Sequence, residues 1–309
     1  MSPIVQISDA EAARFSLDTI RARHQFAETG LFTDDALAEL IDGYPLEYID
    51  INTTTPNADG TMEWRHGSIA GHSGAEVLQA IRQGHLWINL QHMEEVAPRY
   101  HVLVQRAFAE IADRNPQFKT FRHNTGILIS SPSARVLYHC DIPPIALWHI
   151  RGRKRLYLYP DSEEFLTDID RERVVLKETE EEIPYWDSFD AYAQVFDLEP
   201  GDALSWKMQQ PHRVENLDGL NVSITTSYFT PAARKFYGVI YANGAMRRLF
   251  GISPQSHAAI GPVALVKCAL AAGIRASGVL KAHERVFETT FEVDPTNERG
   301  YHDLAGGRA

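Results

Sequence analysis

A chain of 309 residues that is 44% apolar, 10% aromatic and 23% charged carries enough apolar surface for a sizeable core, which excludes an extended disordered protein. Its formal net charge of −11 excludes a broad phosphate-binding face and with it nucleic acid as a partner, because that affinity rests on clustered Lys and Arg. Cys140 and Cys268 are the only cysteines, too few for a disulfide framework.

The first hundred residues read as helices joined by loops. Thr33, followed by Asp34 and Asp35, supplies an N-cap and an acidic first turn, Leu37, Leu40 and Ile41 form one apolar face, and Gly43-Tyr44-Pro45 ends the helix. Ser73 and Glu76 have capping-box spacing, and Gly84 stands where a left-handed C-terminal residue is wanted. A third helix follows Pro98, with Leu103, Val104, Ala107, Phe108 and Ile111 at helical spacing up to Asn115-Pro116.

From Thr125 the period becomes extended. Residues 126–130, 135–139, 146–150 and 155–159, then 194–198, 203–206 and 221–229, are short β-branched or aromatic runs broken by Ser, Pro and Gly. Many short strands separated by turns predict a sandwich or jelly roll rather than a parallel α/β sheet. The acidic stretch between the strand groups reads as a solvated insertion. After Pro231 the pattern is helical to about Phe287, and the last dozen residues read as frayed. The apolar stretch 262–280 is interrupted by Lys267 and Arg275, which suits a helix packed on the protein or on a second subunit and disfavours a membrane role. The N-terminus has no basic segment followed by an apolar one, so the expected compartment is the cytoplasm. The chain thus divides into a helical N-terminal region, 1–115, packing on a barrel; a mainly β jelly-roll domain, 116–232, with an acidic insertion at 161–192; and a helical C-terminal region, 233–309.

His139 and Asp141 are two residues apart in extended chain, so alternation turns an imidazole and a carboxylate to one face. Pro200-Gly201-Asp202 is a tight-turn signal, and ten residues beyond that Asp comes His212. Two histidines and one carboxylate form the facial triad that suits non-haem iron(II), leaving coordination positions open. Cys140 points away from such a metal by alternation. His66, His72, His85 and His92 lack a tight ligand spacing, and His283-Glu284 lacks the second His of a zinc-protease helix. Trp148, Trp206 and Tyr228 are strand aromatics that belong either to the core or to a pocket mouth.

Two longer motifs accompany these ligands: IRGRKRLYLYP from Ile150 to Pro160, and PGDAL from Pro200 to Leu204, followed by Met208, His212 and Glu215. With them, residues 125–230 resemble the JmjC/cupin-like Fe(II)/2-oxoglutarate-dependent oxygenases and bacterial cupin-like domain proteins. The resemblance implies a double-stranded β-helix of the jelly-roll, cupin type, with iron held by His139, Asp141 and His212. It implies 2-oxoglutarate as cosubstrate, with its distal carboxylate on Lys154. The residues that the family uses elsewhere around the keto acid align with Val136, Ile145 and Ser227, and Tyr138 is a candidate to compensate for Val136. Arg151, Arg153 and Arg155 are expected to face outward or to pair with the acidic insertion. The implied activity is hydroxylation of a peptide or protein side chain, or of a small metabolite, by dioxygen with release of succinate and CO2; a homodimer through the C-terminal helices is also implied. Two other classes stay open from the residues: a metal-binding cupin with chemistry that needs no keto acid, and a non-catalytic cupin-like regulatory or interaction protein.

Overall fold

The computed structural model describes residues 3–56, 62–179, 182–253, 256–281 and 288–304. In chain order they form β1 (Val5–Gln6), α1 (Asp9–Arg14), β2 (Ile20–His24), α2 (Asp34–Asp42), β3 (Ile49–Pro56), β4 (Met62–Ser68), α3 (Gly74–Gln83), β5 (Leu86–Leu90), α4 (Met93–Val96), α5 (Pro98–Arg114), β6 (Phe121–Ser130), β7 (Arg135–His139) and β8 (Ile145–Leu158). There follow α6 (Asp168–Val175), β9 (Gln194–Leu198), β10 (Asp202–Ser205), β11 (His212–Phe229), α7 (Pro231–Phe250), α8 (Gly261–Ser277), β12 (Thr289–Val293) and β13 (Tyr301–Asp303).

The architecture turns on the long antiparallel pair β8 and β11. Their register runs from Ile145↔Ser227 to Leu158↔His212 and shifts between Asn216 and Ser223. There Gly152 takes φ +76°, and a Cβ on it would meet the Asn221 amide, so both strands bend where only glycine fits. Beyond the bend each strand changes its outer neighbour. The first half of β8 pairs with β10 and the second with β9, while the first half of β11 pairs with β7 and the second with β6. The result is two sheets joined by a shared, bent strand pair: β9-β8-β11-β7, and a larger one running β1-β2-β10-β8-β11-β6-β5-β3-β4-β12-β13. This is the expected mainly β jelly roll, with the helices packed outside it.

Alternation sorts the larger sheet. Ile127 and Ile129, Ile88, Val222, Ile224 and Trp148 turn outward into one core with Leu103, Val104, Ala107 and Phe108 of α5. The intervening residues, Gly126 and Leu128, Trp87 and Asn89, Thr225 and Ser227, turn inward to line a cavity. The expected helices α2, α3 and α5 are present. Ser73 Oγ caps α3, and the Glu76 carboxylate accepts the Ser73 N–H at 2.8 Å.

Several expectations are corrected. Region 1–115 is not helical throughout: it adds β1 and β2 to one edge of the larger sheet and β3, β4 and β5 to the other. Gly84 is not left-handed, at φ −102°; glycine is needed there because a Cβ would collide with the Arg299 carbonyl. The acidic insertion is packed rather than solvated, with Phe165, Leu166, Val174, Ile183 and Phe189 buried. Beyond α8, β12 runs parallel to β4 and pairs with β13, so part of the expected frayed terminus is sheet. His283, Glu284 and Phe287 lie outside the described residues. No described helix is long and apolar enough to cross a membrane.

Candidate metal centre

β7 and β11 bring the two histidines together. His139, the last residue of β7, is the register partner of His212, the first of β11, and their rings are 4.1 Å apart between centroids. Asp141 lies just beyond β7, after Cys140, with its Oδ2 3.4 Å from His212 Nε2. One ligand atom from each of the three lies within 4.8 Å of the others, and among the described residues this is the only such group of His, Cys, Asp or Glu.

The backbone sets the imidazole tautomers. His139 Nδ1 donates to the Leu137 carbonyl at 2.7 Å and His212 Nδ1 to the Gln210 carbonyl at 2.9 Å. A carbonyl can only accept, so both Nδ1 atoms carry the proton and both Nε2 atoms present a lone pair. Burial pushes His139 and His212 down to about 4, which keeps both neutral at pH 7. Burial also raises Asp141, to about 6, and its buried Oδ2 has no hydrogen-bond donor among the described residues. Two imidazole lone pairs and an orphan carboxylate oxygen converging with no proton between them fit a divalent cation. The loop that presents His212 is tied down: Gln210 Nε2 donates to the Tyr159 carbonyl at 3.0 Å, and Tyr159 N–H to the Pro211 carbonyl at 3.0 Å.

The triad opens into a cavity of about 640 Å³ between the two sheets. Lys154, on β8, lines it and is only 4% exposed. Burial lowers its ammonium to about 8, and no ion pair to it occurs among the described residues. Val136, Ile145, Ser227 and Trp206 line the same cavity, whereas Trp148 and Tyr228 are fully buried in the core.

Tyr138 is not brought to the site. It packs against Tyr159 and Tyr185 on the other side of β7, and its hydroxyl donates to the Phe165 carbonyl at 2.8 Å. The reason is a bulge: between the pairs His212↔His139 and Val214↔Val136, β7 uses one residue more than β11. Val136 and His139 therefore share a face despite their odd spacing, and Tyr138 is turned away. The arginines of β8 do not pair with the insertion either. Arg151 bonds Asp34, Arg153 bonds Glu199 and Asp218, and Arg155 bonds Asp197. The insertion's Asp190 is held by Arg213 instead.

Sequence reading missed the wall contributed by the N-terminal strands, Asn52, Trp64, Trp87 and Asn89, and the rim residues Lys177 and Thr179 of the insertion. The signal for the first was the alternation in Ile49-Asp-Ile-Asn52, which turns Asp50 and Asn52 to one face. For the second no local signal exists, since contact with the cavity depends on how the insertion folds back.

No protein-family model matches the chain, and no curated protein matches it. Solved structures of similar shape include the ribosomal oxygenase YcfD of Escherichia coli, 16% identical over 85% of this chain and 66% of that one, with a TM-score of 0.43. The same oxygenase in complex with cobalt and 2-oxoglutarate is 17% identical over 82% of this chain and 60% of that one, with a TM-score of 0.44. A cupin superfamily protein from Desulfitobacterium hafniense is 11% identical over 36% of this chain and 72% of that one, with a TM-score of 0.23. The chain spans less than two thirds of the length of either oxygenase chain. What the cavity can do follows from its own residues.

Proposed function

We propose that the protein is an Fe(II)- and 2-oxoglutarate-dependent oxygenase that hydroxylates a peptide or protein side chain or a small metabolite. The observation that carries this reading is one cavity holding both a two-histidine, one-carboxylate triad and a buried lysine that has no anionic partner among the described residues. A metal site of any kind would need the first; the second calls for a ligand with its own carboxylate.

In this reading His139, Asp141 and His212 would hold the iron through Nε2, a carboxylate oxygen and Nε2. When bound, iron and 2-oxoglutarate supply the oxidative chemistry: dioxygen is consumed, the keto acid leaves as succinate and CO2, and a substrate C–H becomes C–OH. The chain's own part is to bind, orient and exclude water. Lys154 would anchor the distal carboxylate with a charge-assisted bond strengthened by its burial. Ser227 offers a hydroxyl on the cavity wall, and Val136 and Ile145 keep the cavity beside the triad apolar. Tyr138 has no part in it. The reading places the protein in the cytoplasm and includes a homodimer through α8, whose Val263, Leu265 and Val266 are exposed.

The test is anaerobic addition of iron(II) and 2-oxoglutarate to the purified protein. A visible charge-transfer absorption, followed by succinate release on admission of air, is the expected result. A folded, iron-loaded sample that gives neither would overturn the proposal.

A further inference from the structure

Lys177 occupies an unusual backbone position. Helix α6 ends in a Schellman motif: Lys177 N–H donates to the Val174 carbonyl at 3.0 Å and Glu178 N–H to the Arg173 carbonyl at 3.0 Å. The residue between the C-cap, Leu176, and Glu178 must be left-handed, and Lys177 has φ +57°. Glycine is the residue that fits there without strain. This chain has a lysine.

Both neighbours of that lysine are fixed. Leu176 is buried, and its side chain fills the space that a Cβ on Gly244 of α7 would take. The Glu178 carboxylate is held by Arg248 of α7 through two bonds of 2.7 Å. Further along, Glu182 forms a β-bridge with the metal-ligand residue His139. Lys177 is therefore a cation on a rigid mount, exposed, at the edge of the cavity that holds the triad.

No ion pair to Lys177 occurs among the described residues, whereas Asp50, the carboxylate that lines the cavity from β3, has His66 Nδ1 at 3.4 Å. Lys154 is the other lysine of the cavity, and it is buried where Lys177 is exposed. The two cannot serve the same carboxylate if Lys154 anchors the cosubstrate.

We propose that Lys177 is a specificity-determining residue that selects a substrate bearing an oxyanion, carboxylate or phosphate, held at the edge of the cavity that contains the triad. This rests on the oxygenase reading for the reaction, and on the mount, the strain and the cavity position for the selection. An ammonium on a flexible stem suits either oxyanion as a point charge. The strained backbone position is then retained for function at the expense of stability.

The experiment uses the full chain loaded with zinc and 2-oxoglutarate at low ionic strength, where an exposed charge is least screened. Propionate and glycerol 3-phosphate are titrated calorimetrically, with glycerol as the neutral control, into wild type, Lys177→Gly and Lys177→Arg. One or both anions should bind wild type about tenfold or more tighter than glycerol, and which anion does so identifies the source. Lys177→Gly should cut that preference to within about twofold while raising Tm, and Lys177→Arg should keep it. No anion preference in wild type, or a preference that survives in Lys177→Gly, would overturn the assignment. The wild-type against Lys177→Gly difference can be read with or without the keto acid. Absence of 2-oxoglutarate binding would therefore count against the oxygenase reading alone, and loss of the anion difference against this one alone.

Discussion

Lys154 stands opposite Asn216 in the β8–β11 ladder, and Asn216 directs its amide protons elsewhere, to Ser130 Oγ at 2.8 Å and the Ser131 carbonyl at 2.7 Å. The lysine is buried, no ion pair to it occurs among the described residues, and burial lowers its pKa to about 8 from about 10.4 in the unfolded chain. Below pH 8 both states are protonated and the full cost of burying the charge is present. Between these two values the unfolded chain binds more protons, so stability rises with pH. Urea unfolding of the metal-free protein should show a gain of about 2 kcal/mol from pH 8 to 10 relative to Lys154→Met. Saturating 2-oxoglutarate should abolish that slope by keeping the ammonium protonated, and its affinity should fall above pH 8. Parallel pH curves for wild type and Lys154→Met would show that Lys154 is not the buried charge described.

Removing one ligand should separate metal binding from folding. His212→Ala deletes an imidazole that touches His139 and lies 4.9 Å from Trp206 between ring centroids, yet leaves the β7–β11 backbone ladder intact. Loss of a supporting partner of a metal ligand commonly costs 10–100-fold in affinity, so loss of a ligand itself should cost about 100-fold or more. Metal-free stability should drop by only about 1–2 kcal/mol. Cobalt(II) titration followed by absorbance, with urea unfolding alongside, checks both. Unchanged cobalt affinity in His212→Ala would remove His212 from the centre.

The parts of the site legible in sequence are those that local rules govern. His139 and Asp141 announce themselves by spacing, His212 by its distance from the Pro200-Gly201 turn, and Lys154 by its motif. Tyr138 was misplaced because a bulge breaks the period of two, and a bulge is set by the partner strand rather than by β7 itself. The strands β3 and β5 have extended character in Ile49–Pro56 and Leu86–Leu90, but the caps of α2 and α3 beside them are the stronger signals. Their place in the sheet depends on β6, and β12 pairs with β4 some two hundred residues away; such pairings leave no local trace. The insertion looked solvated because its charge is counted by sequence, while burial of Phe165 and Phe189 depends on Tyr138 and Tyr159.

Arg213 follows His212 on β11 and should matter for stability more than any arginine of β8. Its guanidinium lies 3.5 Å from the centroid of the Tyr157 ring and bonds Asp190 at 2.6 Å, Glu215 at 2.6 Å and Tyr159 Oη at 2.8 Å. Asp190 also accepts from the Tyr159 and Tyr185 hydroxyls, so one cation ties the insertion to the barrel. The carboxylates are partly solvated, which limits the loss on Arg213→Met to about 1–3 kcal/mol. Arg155→Met, which breaks an exposed pair with Asp197, should leave stability nearly unchanged, because solvent screens the pair. Urea unfolding compares the two, and hydrogen exchange should rise in residues 183–192 only for Arg213→Met. Equal losses would mean that the insertion is held by its apolar contacts alone.

Helix α8 carries three exposed apolar side chains within four residues. Ala264 and Ala271 are buried on its inner side, in contact with α7, and Val263, Leu265 and Val266 are 62–69% exposed. Contiguous apolar side chains on a helix are costly to leave in water, at roughly 25 cal/mol per Å², and covering them with the same face of a second copy needs no other partner. Sedimentation should therefore give twice the 34.8 kDa chain mass at micromolar concentration. Val266→Glu puts a charge into that face and should shift the protein to monomer without lowering Tm of the barrel by more than about 2 °C, because the side chain is 69% exposed within the chain. A wild-type protein that sediments as a monomer would leave this face to some other role.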